Sequence, residues 1–250
     1  MKKKDLDIRL NDAFAEICKH NKYSNKQTID GNTGGTNIRK NNKFIHSLSL
    51  SQTVTLGVSN NQFEVTLSGN CTILEIENIW KDLYYLTKGE SEFTEWNKKY
   101  TPPTYSVYFD KKQIQEKFPQ NVKETGWLTF EISDNGIEEF KEVIKYIIEQ
   151  DLIPKLENVR SLQILDNQLN SSIELDNFEQ YNINDNGVLL RRIIIARLTN
   201  NPLYEEICKH ERSFFPDYIE ASKEIGYEYF KNIPIVFEEV YNRLKSNKNY

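Results

Sequence analysis

Cysteine, histidine and glycine are scarce in this 250-residue chain, at three, three and ten copies, and each shortage removes a class of protein. Cys18, Cys71 and Cys208 are too few and too odd in number for a disulfide framework and suit a reducing compartment. His20, His46 and His210 leave imidazole acid/base chemistry few places to reside. The cluster Gly31-Asn32-Thr33-Gly34-Gly35 lacks the Lys-Ser/Thr that a phosphate loop uses. No apolar run approaches the roughly 18 residues of a membrane span. The opening Met1-Lys2-Lys3-Lys4-Asp5 leads into a polar segment rather than a signal core, so a cytoplasmic location is expected. Positive charge is not in excess either: 32 Lys and Arg against 37 Asp and Glu leave a net charge of −5, which argues against nucleic acid as a partner.

What is present is a packed interior. A 38% hydrophobic and 12% aromatic share is well above that of a disordered chain. Leu6, Leu10, Ala13, Phe14 and Ile17 recur at helical spacing, predicting an amphipathic helix over Leu6 to His20. Asn21 to Lys43 carries turn and loop chemistry. From Phe44 the period becomes two: His46, Leu48, Leu50, Val54, Leu56 and Val58 share one parity, and Phe63, Val65 and Leu67 follow. A turn at Asn60-Asn61 would oppose Val58/Phe63, Leu56/Val65 and Val54/Leu67 on one face.

Ile73, Ile76, Ile79, Trp80, Leu83 and Leu86 return to helical spacing, as a cover for that sheet. Tyr105 to Phe109 and Leu128 to Ile132 supply two further strands, and Asp134 is expected to cap a helix over 135–151 that Pro154 interrupts. A further helix runs to Leu169, and 188–198, 203–210, 218–230 and 235–244 are helical, with Pro202, Pro216 and Pro234 between the pieces. The fold expected is α+β: an antiparallel sheet with covering helices in the N-terminal part and an all-helical C-terminal part. The expected division is an α+β domain over 1–170, a polar linker over 171–187, and a helical extension or small subdomain over 188–250.

The order of these elements, with Lys22-Tyr23-Ser24-Asn25-Lys26, Trp127-Leu128-Thr129-Phe130 and Asp151-Leu152-Ile153-Pro154-Lys155-Leu156, resembles an uncharacterised bacterial family of unknown function over about residues 6–170. Asn21 stands where that family has glycine. Some of its members are immunity-like or neighbours of toxin–antitoxin systems. The resemblance implies a protein-interaction role and supplies no catalytic residues.

Several features offer chemistry. Glu16-Ile17-Cys18-Lys19-His20 recurs as Glu206-Ile207-Cys208-Lys209-His210, a Cys2His2 set in composition. Residues two apart on a helix lie about 200° apart, so neither helical pair can chelate one ion. Two helix C-termini, with Lys-His placed favourably against the dipole, explain the repeat, and no metal or cofactor is expected. His46 has no nucleophile or acidic orienter nearby in sequence. Asp110-Lys111-Lys112 ends a strand with a faint likeness to the Asp-x-Lys arm of a metal-dependent nuclease core, but the upstream Pro-Asp of such a core is missing and an N-cap is the simpler reading of Asp110. Asp30, Asn32 and Gly34 begin a calcium-loop pattern whose twelfth position is Asn41 rather than Glu. Arg39, Lys40 and Lys43 beside Phe44, and Arg191-Arg192, could meet phosphate, with solvated surface charge as the simpler reading. Glu138, Glu139 and Glu142 on one helix, and Glu92 and Glu95 beside Trp96, suit a partner with a basic surface. These six are the candidate partner-binding residues, and a non-enzymatic role is favoured over a nuclease or a zinc module.

Overall fold

A computed structural model describes residues 3–26, 33–41, 43–53, 61–87, 101–123, 126–174, 187–225 and 229–246. The fold is α+β, as the sequence implies. Contacts divide the chain into two compact units, 1–71 with 106–158 and 72–105 with 159–250. The chain passes between them at three points, and none falls at 171–187.

The first unit is a sheet under helices. Strands β1 (Ser24–Lys26), β2 (Thr33–Asn41), β3 (Phe44–Thr53), β4 (Gln62–Ile73) and β5 (Tyr105–Tyr108) lie in that order, and β6 (Leu128–Glu131) also pairs with β4. β4 alternates half-buried and buried residues throughout, so Phe63, Val65 and Leu67 share its covered face. On β3, His46, Leu48 and Leu50 do the same, as the period of two requires. The expected turn at Asn60-Asn61 and its three apolar pairs involve residues 54–60, which lie outside the described residues.

The loop expected over Asn21 to Lys43 is corrected: it contains β1 and β2. β2 pairs antiparallel with β3 from Thr33↔Ser51 to Asn41↔Phe44, and the register slips between Thr33 and Thr36, where Gly34 and Gly35 stand. A glycine pair at a bulge lowers local strand propensity, which hid the strand. Backbone pairing with β3 supplies what the side chains lack.

Helix α1 (Lys3–His20) buries Leu6, Leu10, Phe14 and Ile17. It stops where Lys22 takes a left-handed φ of 66° and Tyr23 N–H returns to the Cys18 carbonyl. Helix α3 (Lys111–Lys117) follows β5, and α4 (Asp134–Ile147) follows β6. Phe140 of α4 meets Phe63 and Phe130 edge-on at 6.0 and 5.6 Å, while those two rings stack at 5.4 Å. This aromatic trio fastens α4 to the sheet. The N-cap of α4 is Ser133 rather than Asp134, because Ser133 Oγ accepts from Gly136 N–H at 3.0 Å. Asp134 sits in the first turn instead and pairs with Arg9 of α1 at 2.6 Å.

Pro154 does not interrupt the helix. Residues Ile148–Leu152 form a π turn that leads directly into α5 (Ile153–Asn158), with Pro154 in its first turn, where a missing N–H costs least. Leu156 of α5 then seats on Gly69 of β4, where an added Cβ would lie 2.9 Å from it.

The second unit is helical around one buried helix. α2 (Leu74–Trp80), placed by sequence as a cover for the sheet, packs with α7 (Val188–Leu198) and α10 (Tyr229–Ser246). Ile73, expected to open it, ends β4. α6 (Leu162–Leu169) and α8 (Tyr204–Ser213) also pack on α7, and α9 (Phe215–Ile225) packs on α10. α7 is buried from Leu190 to Ala196 without a polar face. Pro234 lies inside α10 and Pro216 in the first turn of α9, so these two prolines do not separate helices. Gly187 before α7 is required sterically: a Cβ there would meet the Trp80 ring at 2.2 Å.

An equally tight approach in the first unit gives a test. A Cβ on Gly136 would fall 2.1 Å from the Glu131 carbonyl oxygen, a backbone atom of β6. Gly136→Ala is expected to cost about 1–3 kcal/mol in chemical denaturation; an unchanged midpoint would mean that α4 can retreat from β6 freely.

Candidate functional site

α1 and α4 pack side by side in the first unit. Their outer flanks leave an open groove of about 460 Å³, lined by Ala13, Glu16, Ile17 and His20 from α1, by Glu138, Lys141, Glu142 and Lys145 from α4, and by Glu149 from the π turn. Ala13 and Ile17 form its apolar floor. Four carboxylates stand against two lysines, an excess of two negative charges among these six groups. Lys141 is committed to Glu138 at 2.7 Å, and Asn21 Nδ2 donates to Glu149 Oε1 at 3.2 Å. Such a surface can attract a cationic side chain while offering its aliphatic stem an apolar seat.

Two of the six candidate residues, Glu138 and Glu142, therefore share a groove. Glu139 does not join them: one position along a helix is a 100° rotation, and its carboxylate accepts instead from Gln120 Nε2 at 3.1 Å. Glu92, Glu95 and Trp96 lie outside the described residues. Sequence reading missed Glu16, His20 and Glu149. The stripe 138, 142, 145, 149 follows helical spacing and was legible; its meeting with α1 was not.

Asp110 caps α3, accepting from Lys112 N–H at 2.9 Å and Gln113 N–H at 3.2 Å. A second carboxylate does approach, since Asp151 of the π turn accepts from Asp110 N–H at 2.6 Å, but Lys155 pairs with it at 2.7 Å. Both acids are engaged in joining chain segments. Arg39 bonds Glu157 at 2.6 Å, and Gly34 and Asn41, from the calcium-loop pattern, belong to β2. Asp30 and Asn32 lie outside the described residues.

The two pentapeptides fall in different units. Cys18 is buried and His20 exposed, so helical geometry does set them on opposite faces. Cys208 is buried too, while His210 stands edge-on to Phe214 at 5.0 Å. Only the first repeat ends a helix, because α8 runs on to Ser213. Burial pushes the Cys18 thiol up to about 12 and the Cys208 thiol to about 11, which keeps both protonated near neutrality. Among the described residues no group of three or more His, Cys, Asp and Glu could hold a metal ion.

Arg191 and Arg192, read from sequence as surface charge, are instead buried at 0% and 1% exposure. In the second unit, Arg191 Nε donates to Glu77 Oε1 at 2.7 Å and Nη2 to Oε2 at 3.1 Å. Trp80 Nε1 and Thr104 Oγ also donate to that carboxylate, at 3.1 and 2.8 Å, and the guanidinium lies 4.8 Å from the Trp80 ring centroid. Arg192 bonds Glu211 at 2.6 Å, Asn170 at 3.0 Å and the carbonyls of Ser172 and Ile173. Burial raises the Glu211 carboxyl above its ordinary range, and Arg192 pulls it back. The clue was Ile193-Ile194-Ile195: a helix apolar on all sides leaves its arginines no route to water.

A half-broken buried pair is costly, so Arg191→Met is expected to lose about 3–5 kcal/mol of stability. Combining it with Glu77→Leu should cost less than the sum of the two single losses in denaturant titrations, with part of the loss remaining because Trp80 Nε1–H and the Thr104 hydroxyl then lack their acceptor; losses that simply add would show the pair uncoupled. No protein-family model, curated protein or solved structure matches the chain.

Proposed function

We propose that the chain is a non-enzymatic interaction protein, an immunity-like or regulatory partner in a bacterial conflict or signalling system, that receives a basic segment of another protein in the α1–α4 groove. The observation that carries this reading is the convergence of Glu16, Glu138, Glu142 and Glu149 over the apolar floor of one 460 Å³ groove. Carboxylates at a rim accelerate encounter with a cationic surface, and the floor holds the aliphatic part of a lysine or arginine. The resemblance over residues 6–170 points to the same role. The π turn that carries Glu149 is a feature frequent at functional sites.

Reversing two rim charges tests the reading with little cost to the fold, because exposed pairs contribute at most about 1 kcal/mol. Glu138→Lys with Glu142→Lys is expected to weaken capture of the protein encoded by the adjacent reading frame roughly tenfold or more, with the loss largest at low salt. The same variant should no longer protect cells that express that neighbour. Undiminished capture and protection would remove the groove from consideration.

A further inference from the structure

A second cluster in the first unit lies away from the groove's lining. Ser24 pairs with Ile38 and Arg39 with His46, so Tyr23, immediately ahead of β1, comes into line with Arg39 of β2 and His46 of β3. Tyr23 and His46 are 1% and 5% exposed. The Arg39 guanidinium lies 4.8 Å from the Tyr23 ring centroid, bonds Glu157 of α5 at 2.6 Å, and reaches His46 Nδ1 at 3.4 Å. For Arg39 to donate there, Nδ1 must carry the lone pair and Nε2 the proton. Nε2 and the Tyr23 hydroxyl are buried without a hydrogen-bond partner.

We propose that this row is an acid-responsive latch, in which a proton taken from solvent by His46 Nδ1 displaces Arg39 and frees the β1–β2 margin of the sheet. The proton removes the acceptor and places two cations side by side where water screens them poorly. The charged groups facing His46 are Arg39 from β2 and Glu157 from α5; the Cys18 thiol of α1 and the Cys71 thiol of β4 stand near Tyr23. Burial pushes the Tyr23 phenol up to about 12, so it stays neutral. β2 reads Thr-Gly-Gly-Thr-Asn-Ile-Arg-Lys-Asn, in which Ile38 is the one large apolar residue. The latch is independent of the groove reading.

Burial first, then Arg39, hold the imidazole down at about 4, with Glu157 opposing. Once the margin opens, the imidazole returns towards its ordinary 6.5. Between those values the opened form takes up a proton that the closed form refuses, so opening should rise about tenfold per pH unit as pH falls. Amide exchange on the full chain, corrected for intrinsic rates, should show protection of β2 falling about a hundredfold from pH 6.5 to 4 relative to α4. In His46→Gln, which keeps a neutral acceptor for Arg39, that dependence should vanish. PH-independent β2 protection in the wild type would overturn the latch, as would an undiminished dependence in His46→Gln, which would place the response on Glu157. Should His46→Gln fail to fold, imidazole titration by NMR in the wild type decides: a His46 midpoint that coincides with the loss of β2 protection supports the latch, and one that does not overturns it.

Discussion

The first unit is organised by the one-sided burial of β4. Twelve residues alternate between a covered and a less covered face, and a strand of that kind is stable only beneath a layer that keeps water off its apolar side. β3, β5 and β6 all pair with it. α1 and α4 supply part of the cover, with Phe140 pressed against Phe63 and Phe130. Two cylinders laid on a sheet touch along their inner flanks and diverge above, so a furrow on the outer side follows from the packing. The chain then lines that furrow with carboxylates.

In the second unit the organising choice differs, because α7 is enclosed on every side and still carries two guanidinium groups. Burying an ion pair costs several kcal/mol of hydration per charge, which only well-placed partners offset. Glu77 meets that demand with Arg191, Trp80 and Thr104; Arg192 does so with Glu211, Asn170 and two carbonyls. Apolar contact alone is tolerant of small shifts between helices. A bidentate pair is not, so α2 and α7 are held at one mutual setting.

Where side-chain periodicity decides structure, the sequence was informative: α1, the alternation on β3 and β4, the buried stripe of α4 and the limits of α7 all follow from spacing. It failed where backbone pairing or distant partners decide. β2 has too little apolar content to announce itself and exists through its ladder with β3. Ser133, not the more acidic Asp134, caps α4 because its hydroxyl reaches Gly136 N–H. The grouping of Glu138, Glu139 and Glu142 treated neighbours in sequence as neighbours in space, whereas a helix turns consecutive residues apart. Glu16 could enter the groove only once α1 and α4 were laid together, and Glu77 could be recognised as internal only once Arg191 was.

The π turn at Ile148–Leu152 is small beside these features, yet it sets the angular phase of α5, which follows it directly. Each residue of an α-helix advances by about 100°, so one wide turn rotates α5 relative to the direction that α4 alone would dictate. Before the turn, Glu142 looks outward into the groove. After it, Leu156 faces inward to Gly69 of β4, and Glu157 reaches Arg39 of β2. One continuous rod of chain thus serves two differently oriented surfaces, as a key does when its bit is cut at an angle to its bow.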